Sequence, residues 1–403
     1  MAVNFTYRVK DVRGNLLTGQ IDGDSVAMVA NKLRQMGYTV IELKEKSLAQ
    51  KEITLPFFNR VKLKDLAVFS RQFSTMVSAG LSLTRCLAVL AEQSQSKVLQ
   101  KTIAEVLKDV EQGKSLSDAM AKHPSIFPPI YINMVRAGEI GGVLDEVLLR
   151  VADHFEREQS IRSKIKSAMA YPVAMFAFSM LITFILITFI VPLFVKMFQD
   201  MGGTLPLPTQ MLLIASGLIH KTWFVMIPTL FGIVYLFRLY GKQENGRRKI
   251  DSIKLHLPIF GKLVEKMAIS KFSRTLGTLM SSGVPILQAL DIVADNAGNA
   301  IIADSVLKAR ESIKEGESLA KPLSSDKVFP PMVVQMIAVG EETGALDSML
   351  SKIADFYDDE VSTAVEALTS ILEPVMIVVM GIIIGGIIVS LYLPMFEVIT
   401  LIK

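Results

Sequence analysis

Residues Phe127 to Asp145 read FPPIYINMVRAGEIGGVLD, and residues Phe329 to Asp347 read FPPMVVQMIAVGEETGALD, with nine of nineteen positions identical at a shift of 202. The register extends outward from there. At a shift of 203, Phe69 to Gly80 matches Phe272 to Gly283 at six of twelve positions, and Gly113-Lys114-Ser115-Leu116 falls on Gly316-Glu317-Ser318-Leu319. Downstream, Tyr171-Pro172 lies over Glu373-Pro374, and Val191-Pro192-Leu193-Phe194 over Leu393-Pro394-Met395-Phe396. The chain is a tandem duplication whose unit is a polar domain followed by an apolar segment.

The 403 residues are 51% apolar and 20% charged, with mean hydropathy +0.42, more apolar than an average soluble chain at about a quarter charged. The excess is concentrated. No charge occurs between Lys166 and Lys196, nor between Glu373 and Glu397, and each window exceeds the roughly 20 residues that cross a bilayer. Spans are predicted at 171–195 and 374–396. Two copies in one orientation each cross once, so a third span must return the chain between them. Thr222 to Phe237 is charge-free and bordered by Trp223, Tyr235, Arg238 and Tyr240, which suits a short span at 222–240 with interfacial anchors. Its apolar part covers only about 24 Å, so Arg238 is expected to snorkel.

Arg150, Arg157, Arg162, Lys164 and Lys166 precede the first span, and Arg238, Lys242, Arg247, Arg248, Lys249 and Lys254 follow the second. Between them stand Lys196 and Lys221. This bias places the N-terminus and both polar domains in the cytoplasm and the loop 196–221 outside. The third span follows an acidic flank, Asp355 to Glu373, so its orientation, with the tail 397–403 outside, rests on the repeat.

In the polar parts, residues 1–46 read as a small α+β domain. Phe5, Tyr7 and Val9 alternate with polar neighbours, Arg13-Gly14-Asn15 supplies a turn, and Leu16 to Ile21 forms a second strand. Asp24 or Ser25 caps a helix carrying Val26, Ala30 and Leu33, Gly37 stops it, and Tyr38 to Leu43 returns as a strand. A linker follows at 47–62. The segments 63–168 and 266–370, with a linker at 241–265 before the second, show helical spacing, as in Leu66, Phe69, Phe73, Met76 and Val77. Helix breakers recur at matched places. The expected fold is an all-α polytopic membrane protein: two repeated cytoplasmic six-helix bundles, three transmembrane helices and the small N-terminal domain.

The net charge of +4 comes without a basic stripe or interleaved aromatics, which excludes nucleic acid as a partner. One cysteine, Cys86, excludes an internal disulfide and two-cysteine metal or redox motifs. Gly113-Lys114-Ser115 resembles the end of a phosphate loop, but Lys108 stands where the first glycine belongs, and the second copy replaces the lysine with Glu317. Glu139 with Asp145, and Glu341 with Asp347, are paired carboxylates near a turn; they can cap helices, contact a partner or hold a hard cation. The first and third spans contain no ionisable residue, which disfavours a small-solute transporter, the alternative reading; a membrane-bound enzyme lacks a site. Gly381, Gly385 and Gly386 leave room for a closely packed helix, from this chain's own spans, a second subunit or another membrane protein.

The order Phe-Ser-Arg-Gln-Phe, Phe-Pro-Pro, Gly-Glu-x-x-Gly-x-Leu-Asp and Leu-Pro, with the run Gly202 to Thr209, resembles the platform proteins of type IV pilus and type II secretion machines, the GspF/PilC family. The resemblance covers essentially the whole chain. It implies a bacterial inner-membrane platform, without cofactor or catalysis, that couples a hexameric motor ATPase to the insertion of pilins or pseudopilins into a filament. Membrane alignment proteins and the lipid bilayer are its other expected partners, and a homo-oligomer, a dimer, is expected. Partner contacts are expected at Arg71, Glu139, Asp145, Arg274, Glu341 and Asp347.

Overall fold

The computed structural model describes residues 3–10, 16–23, 26–45, 61–200, 205–241, 243–258, 260–326 and 328–401. Two units divide the chain, residues 1–60 and 61–403.

In the first unit, β1 (Val3–Lys10), β2 (Leu16–Gly23) and β3 (Thr39–Glu45) form an antiparallel sheet of order β2-β1-β3, with α1 (Val26–Gln35) between β2 and β3. Alternation puts Val9 on the covered face, where it packs with Val29 and Leu33 of α1. The end of α1 is closed by Gly37 at φ 82°, with Tyr38 N–H bonded back to the Leu33 carbonyl at 3.1 Å. The expected turn at residues 13–15, the caps at 24 and 25, and residues 46–60 of the linker lie outside the described residues.

In the second unit, repeat 1 comprises α2 (Leu63–Ser78), α3 (Leu83–Gln93), α4 (Lys97–Glu111), α5 (Leu116–Ala121), α6 (Pro129–Gly141) and α7 (Leu144–Ile185). Repeat 2 comprises α11 (Phe260–Ser281), α12 (Ile286–Asn296), α13 (Ala300–Lys314), α14 (Ala320–Ser324), α15 (Pro331–Thr343) and α16 (Leu346–Leu401). A π-helical turn, Leu186–Ile190, joins α7 to α8 (Val191–Asp200); α9 (Leu207–Tyr240) and α10 (Glu244–His256) then lead into repeat 2. The core of repeat 1 is an aromatic chain: Phe69 stacks on Phe73 at 5.6 Å, and Phe127 meets Tyr131 at 5.2 Å, which stacks on Phe155 at 5.6 Å. Repeat 2 keeps the Phe272 and Phe329 pair at 5.2 Å and fills the rest with Leu276, Val333 and Tyr357.

Helix persists further than the sequence pattern indicated. The loop expected at 196–221 is occupied at both ends by α8 and α9, the linker expected at 241–265 contains α10 and the start of α11, and the tail expected from 397 continues α16 to Leu401. Pro208 sits in the first turn of α9, where its missing N–H costs no bond. The stretch from 244 lacks an apolar run long enough to announce itself, yet Gln243 leads into a helix ending on Lys254 and His256, cations suited to the C-terminal dipole.

Two helical stretches, Leu144–Phe198 and Leu346–Pro394, are long and apolar enough to cross a membrane. In both, the helix that closes the bundle is the helix that enters the apolar segment. At 1.5 Å per residue, the 42 residues of α7 run about 63 Å and the 56 of α16 about 84 Å.

The repeats meet along these two helices. Arg157 donates to Asp355 at 2.7 Å, and Lys164 to Ser362 at 3.2 Å, each pair 198 positions apart. Equivalent residues are 202 apart in sequence, so each of these long cations reaches an acceptor about one turn nearer the N-terminus of the facing helix than its own counterpart. In a Cys86→Ser background, cysteines at 157 and 355 should cross-link with a short bifunctional maleimide in the folded protein, whereas cysteines at 157 and 359 should not; the reverse preference would refute this contact.

Candidate functional site

The Gly-Glu-x-x-Gly-x-Leu-Asp segments build a corner in each repeat. Gly138 lets α6 approach α7, because a Cβ there would lie 3.0 Å from Val147 Cβ and 3.2 Å from Leu144 Cα. Gly142 ends α6 at φ 69°, a left-handed cap that a side chain would strain, and the Val143 N–H returns to the Gly138 carbonyl at 3.0 Å. Gly340 and Gly344 repeat both roles.

The glutamate in between reaches back to the short helix. Glu139 Oε1 accepts from Leu116 N–H at 2.5 Å, and Oε2 from Ser117 N–H at 3.1 Å and Ser117 Oγ at 2.5 Å. Glu341 accepts from Leu319 N–H at 2.8 Å and Ser318 Oγ at 2.6 Å. A six-residue helix such as α5 cannot hold itself in water. A carboxylate on its free amides satisfies them and meets the positive end of its dipole. Both oxygens of Glu139 and of Glu341 are engaged in this way, and among the described residues no three His, Cys, Asp or Glu side chains gather as a metal set. Asp145 and Asp347 stand exposed in the first turns of α7 and α16.

The paired arginines tie the first helix of each bundle to the last. Arg71 grips Glu156 with two bonds, 2.8 and 2.5 Å, and Asp153 with a third at 2.5 Å; this fork holds the Glu156 carboxyl below its usual range. Arg274 binds Asp355 at 3.0 Å and Asp358 at 2.5 Å. The second copy is more enclosed: the Arg274 side chain is 12% exposed against 34% for Arg71. The cover is α7, whose Arg157 shares Asp355 with Arg274. Asp355 is thus a joint between the repeats.

Of the six expected contact residues, Arg71, Glu139, Arg274 and Glu341 are committed within the chain. Arg274 and Asp347 come together in a cleft of about 410 Å³ between α7, α11 and α16; the other four do not reach it. A Cβ at Gly381, Gly385 or Gly386 would meet no atom of another element within 4 Å among the described residues. Lys114 pairs with Asp109 at 2.6 Å in a helix–helix turn, and no strand precedes it as a phosphate loop requires.

Sequence reasoning passed over His154. It is 5% exposed on α7 beside a cavity of about 350 Å³ against repeat 2, and its Nδ1 has no hydrogen-bond partner among the described residues. Burial pulls its pKa down to about 4; Glu158 and Asp358 oppose the shift, while Arg274 and Lys271 add to it. The available signal was its alignment with Phe356: one copy has an aromatic ring where the other has imidazole. Lys271, on the facing side of the same cavity, is likewise lowered by burial.

Comparison with known proteins follows these corners. The family model described as "Type II secretion system (T2SS), protein F" matches residues 69–192 and again residues 272–394. The chain belongs to this family. Its N-terminal unit matches the model "Type II secretion system protein F, N-terminal domain" over residues 1–44. Each protein F repeat begins at the duplicated Phe69 or Phe272 and ends at the duplicated Pro192 or Pro394. The Type IV pilus assembly protein PilC of Myxococcus xanthus is 42% identical over 393 residues, 98% of this chain and 94% of that protein. The protein of the same name from Thermus thermophilus is 43% identical over 398 residues, 98% of each chain. The Type II secretion system protein F of Vibrio cholerae is 34% identical over 396 residues, 98% of each.

Two measurements check this protein F site. Removing the charge in Glu139→Gln should destabilise repeat 1 by about 1–2 kcal/mol, read by thermal unfolding, and Glu341→Gln should do the same for repeat 2. His154 binds its proton more weakly folded than unfolded, so its stabilising contribution is complete above pH 6.5 and declines as pH falls toward about 4. At pH 5 the loss should be about 2 kcal/mol, and His154→Phe, the residue of the second copy, should flatten that pH dependence.

Proposed function

We propose that the chain is the inner-membrane platform of a type IV pilus or type II secretion machine, coupling a cytoplasmic motor ATPase to the lifting of pilins or pseudopilins out of the bilayer. The observation that carries this reading is the continuity of α7 and α16. Each bundle is built onto the base of a helix that continues into an apolar span with no loop between them, a matched proline, Pro172 or Pro374, standing at the start of the span, so a push on the bundle is delivered to the span through helix. The named roles of the relatives, pilus assembly and type II secretion, favour this use of a stiff lever.

In this reading α9 is the third span, the N-terminus and both bundles lie in the cytoplasm, and the end of α16 lies outside. The protein acts as an adaptor and performs no chemistry. Membrane alignment proteins bind alongside the motor. Asp145 and Asp347 are the carboxylates left available for a partner, and around Asp145 the corner also exposes Ile140 and Val143. The committed residues, Arg71, Glu139, Arg274 and Glu341, act by holding these corners in shape. A homo-oligomer, a dimer in the simplest form, would cover the open notch at Gly381, Gly385 and Gly386.

In a strain lacking the chromosomal copy, Asp145→Lys should lower filament or secretion output at least tenfold while the protein reaches normal membrane levels and loses no more than the stability, about 1–2 kcal/mol, that reversing a charge in the first turn of α7 costs. Normal output in the deletion strain itself would overturn the function. Labelling of single cysteines from the two sides of the membrane checks the topology.

A further inference from the structure

A short helix that both folds onto repeat 2 and abuts α9 has no role yet assigned. α10 turns on a glycine at each end. A Cβ at Gly246 would lie 1.9 Å from the Tyr240 carbonyl oxygen at the end of α9, and a Cβ at Gly261 would lie 2.1 Å from the Leu255 carbonyl oxygen. Only positions 241–243 separate α9 from α10. The helix is therefore seated hard against the last turn of α9 at one end and the first turn of α11 at the other.

Its inner face is fixed to repeat 2. Asp251, 3% exposed, accepts from Ala300 N–H at 3.0 Å at the start of α13 and from Lys254 at 2.8 Å, while Arg248 pairs with Asp304 at 2.7 Å. The opposite face carries Lys249, Ile253 and His256 at i, i+4 and i+7, spacing that puts them on one side. Leu257 and Phe260 extend the apolar part. Ile253 is 62% exposed, Leu257 45% and Phe260 40%. Of the two acids in α10, Asp251 is buried and Glu244 stands at its first residue, against four lysines and arginines.

We infer that α10 is an interfacial helix that seats its Lys249-Ile253-His256 face among anionic phospholipid headgroups and so moors repeat 2 to the bilayer surface. The inference rests on the reading of α9 as a span. A helix three residues beyond the end of a span is held at headgroup depth, and a face of exposed aliphatic and aromatic side chains flanked by cations is what that layer stabilises. The close backbone approaches that Gly246 and Gly261 permit pack both ends of α10 against the neighbouring helices.

The test uses the full chain in the Cys86→Ser background, labelled with an environment-sensitive fluorophore at Ile253→Cys and reconstituted in nanodiscs of phosphatidylcholine with or without phosphatidylglycerol. Controls carry the label at Phe231→Cys in α9 and at Val339→Cys on repeat 2. The expected result is blue-shifted emission at 253, quenched by lipids spin-labelled near the headgroup, with the ratio of lipid-seated to unseated face falling about fivefold when Lys249→Gln removes one cation. No quenching at 231 would overturn the span reading of α9. Quenching at 231 with water-like emission at 253 would overturn the mooring alone. Emission at 253 that is blue-shifted but unquenched would mean protein covers the face and would also overturn it, as would equal seating with and without phosphatidylglycerol.

Discussion

In α7 and α16 a single helix begins inside a polar bundle and runs on into an apolar segment, losing one backbone hydrogen bond at Pro172 or Pro374, and the other features of the molecule are arranged around that continuity. An interior residue of an α-helix is held by bonds to the turns on either side, so a long helix bends gently unless a proline, a π-turn or an inserted group weakens it. Here the prolines at 172 and 374 fall at matched places, and the π-helical turn at 186–190 lies within the apolar part of the first copy only. The join between bundle and span therefore carries one proline in each copy, a matched bend point in an otherwise continuous helix. Gly138, Glu139 and Arg71, with their counterparts in repeat 2, lock the shorter helices onto the base of that rod.

The same continuity explains why the charged residues are spent internally. A bundle of six short helices has many free amides and carbonyls at its ends, and α5 and α14, at six and five residues, contribute more ends than interior. Glutamates at 139 and 341 cover those amides from a distance of more than twenty positions. The arginine forks then close each bundle from first helix to last. In repeat 2 the fork is also the contact with repeat 1, since Asp355 receives both Arg274 and Arg157. One carboxylate therefore belongs to the fold of one bundle and to the interface between two.

Much of this was legible in the sequence because duplication supplies its own alignment. The repeated Phe-Pro-Pro and Gly-Glu segments fixed the number of units and the helix ends, and two charge-free windows gave the long apolar helices. What was not legible depends on partners distant in sequence. Nothing local announces that Glu139 folds back to residue 116, and the same residue type at the same place serves equally well as an exposed contact. The helices around 200, 210 and 250 were missed because loops were inferred from the lack of a repeat or of apolar periodicity, whereas α10 is held by Asp251 and by two glycine corners, which are tertiary facts. His154 was invisible for a related reason: its burial is created by repeat 2, which no window around residue 154 contains.

The contact between the repeats bears on what a duplication can do. The pairs at 157 with 355 and 164 with 362 set a long cation of repeat 1 against an acceptor of repeat 2. The faces have also diverged in chemistry, with Phe356 for His154, Glu342 for Ile140 and Lys352 for Arg150. The two copies therefore offer different side chains at equivalent places, while Asp355 ties α7 to α16 by accepting from both Arg157 and Arg274.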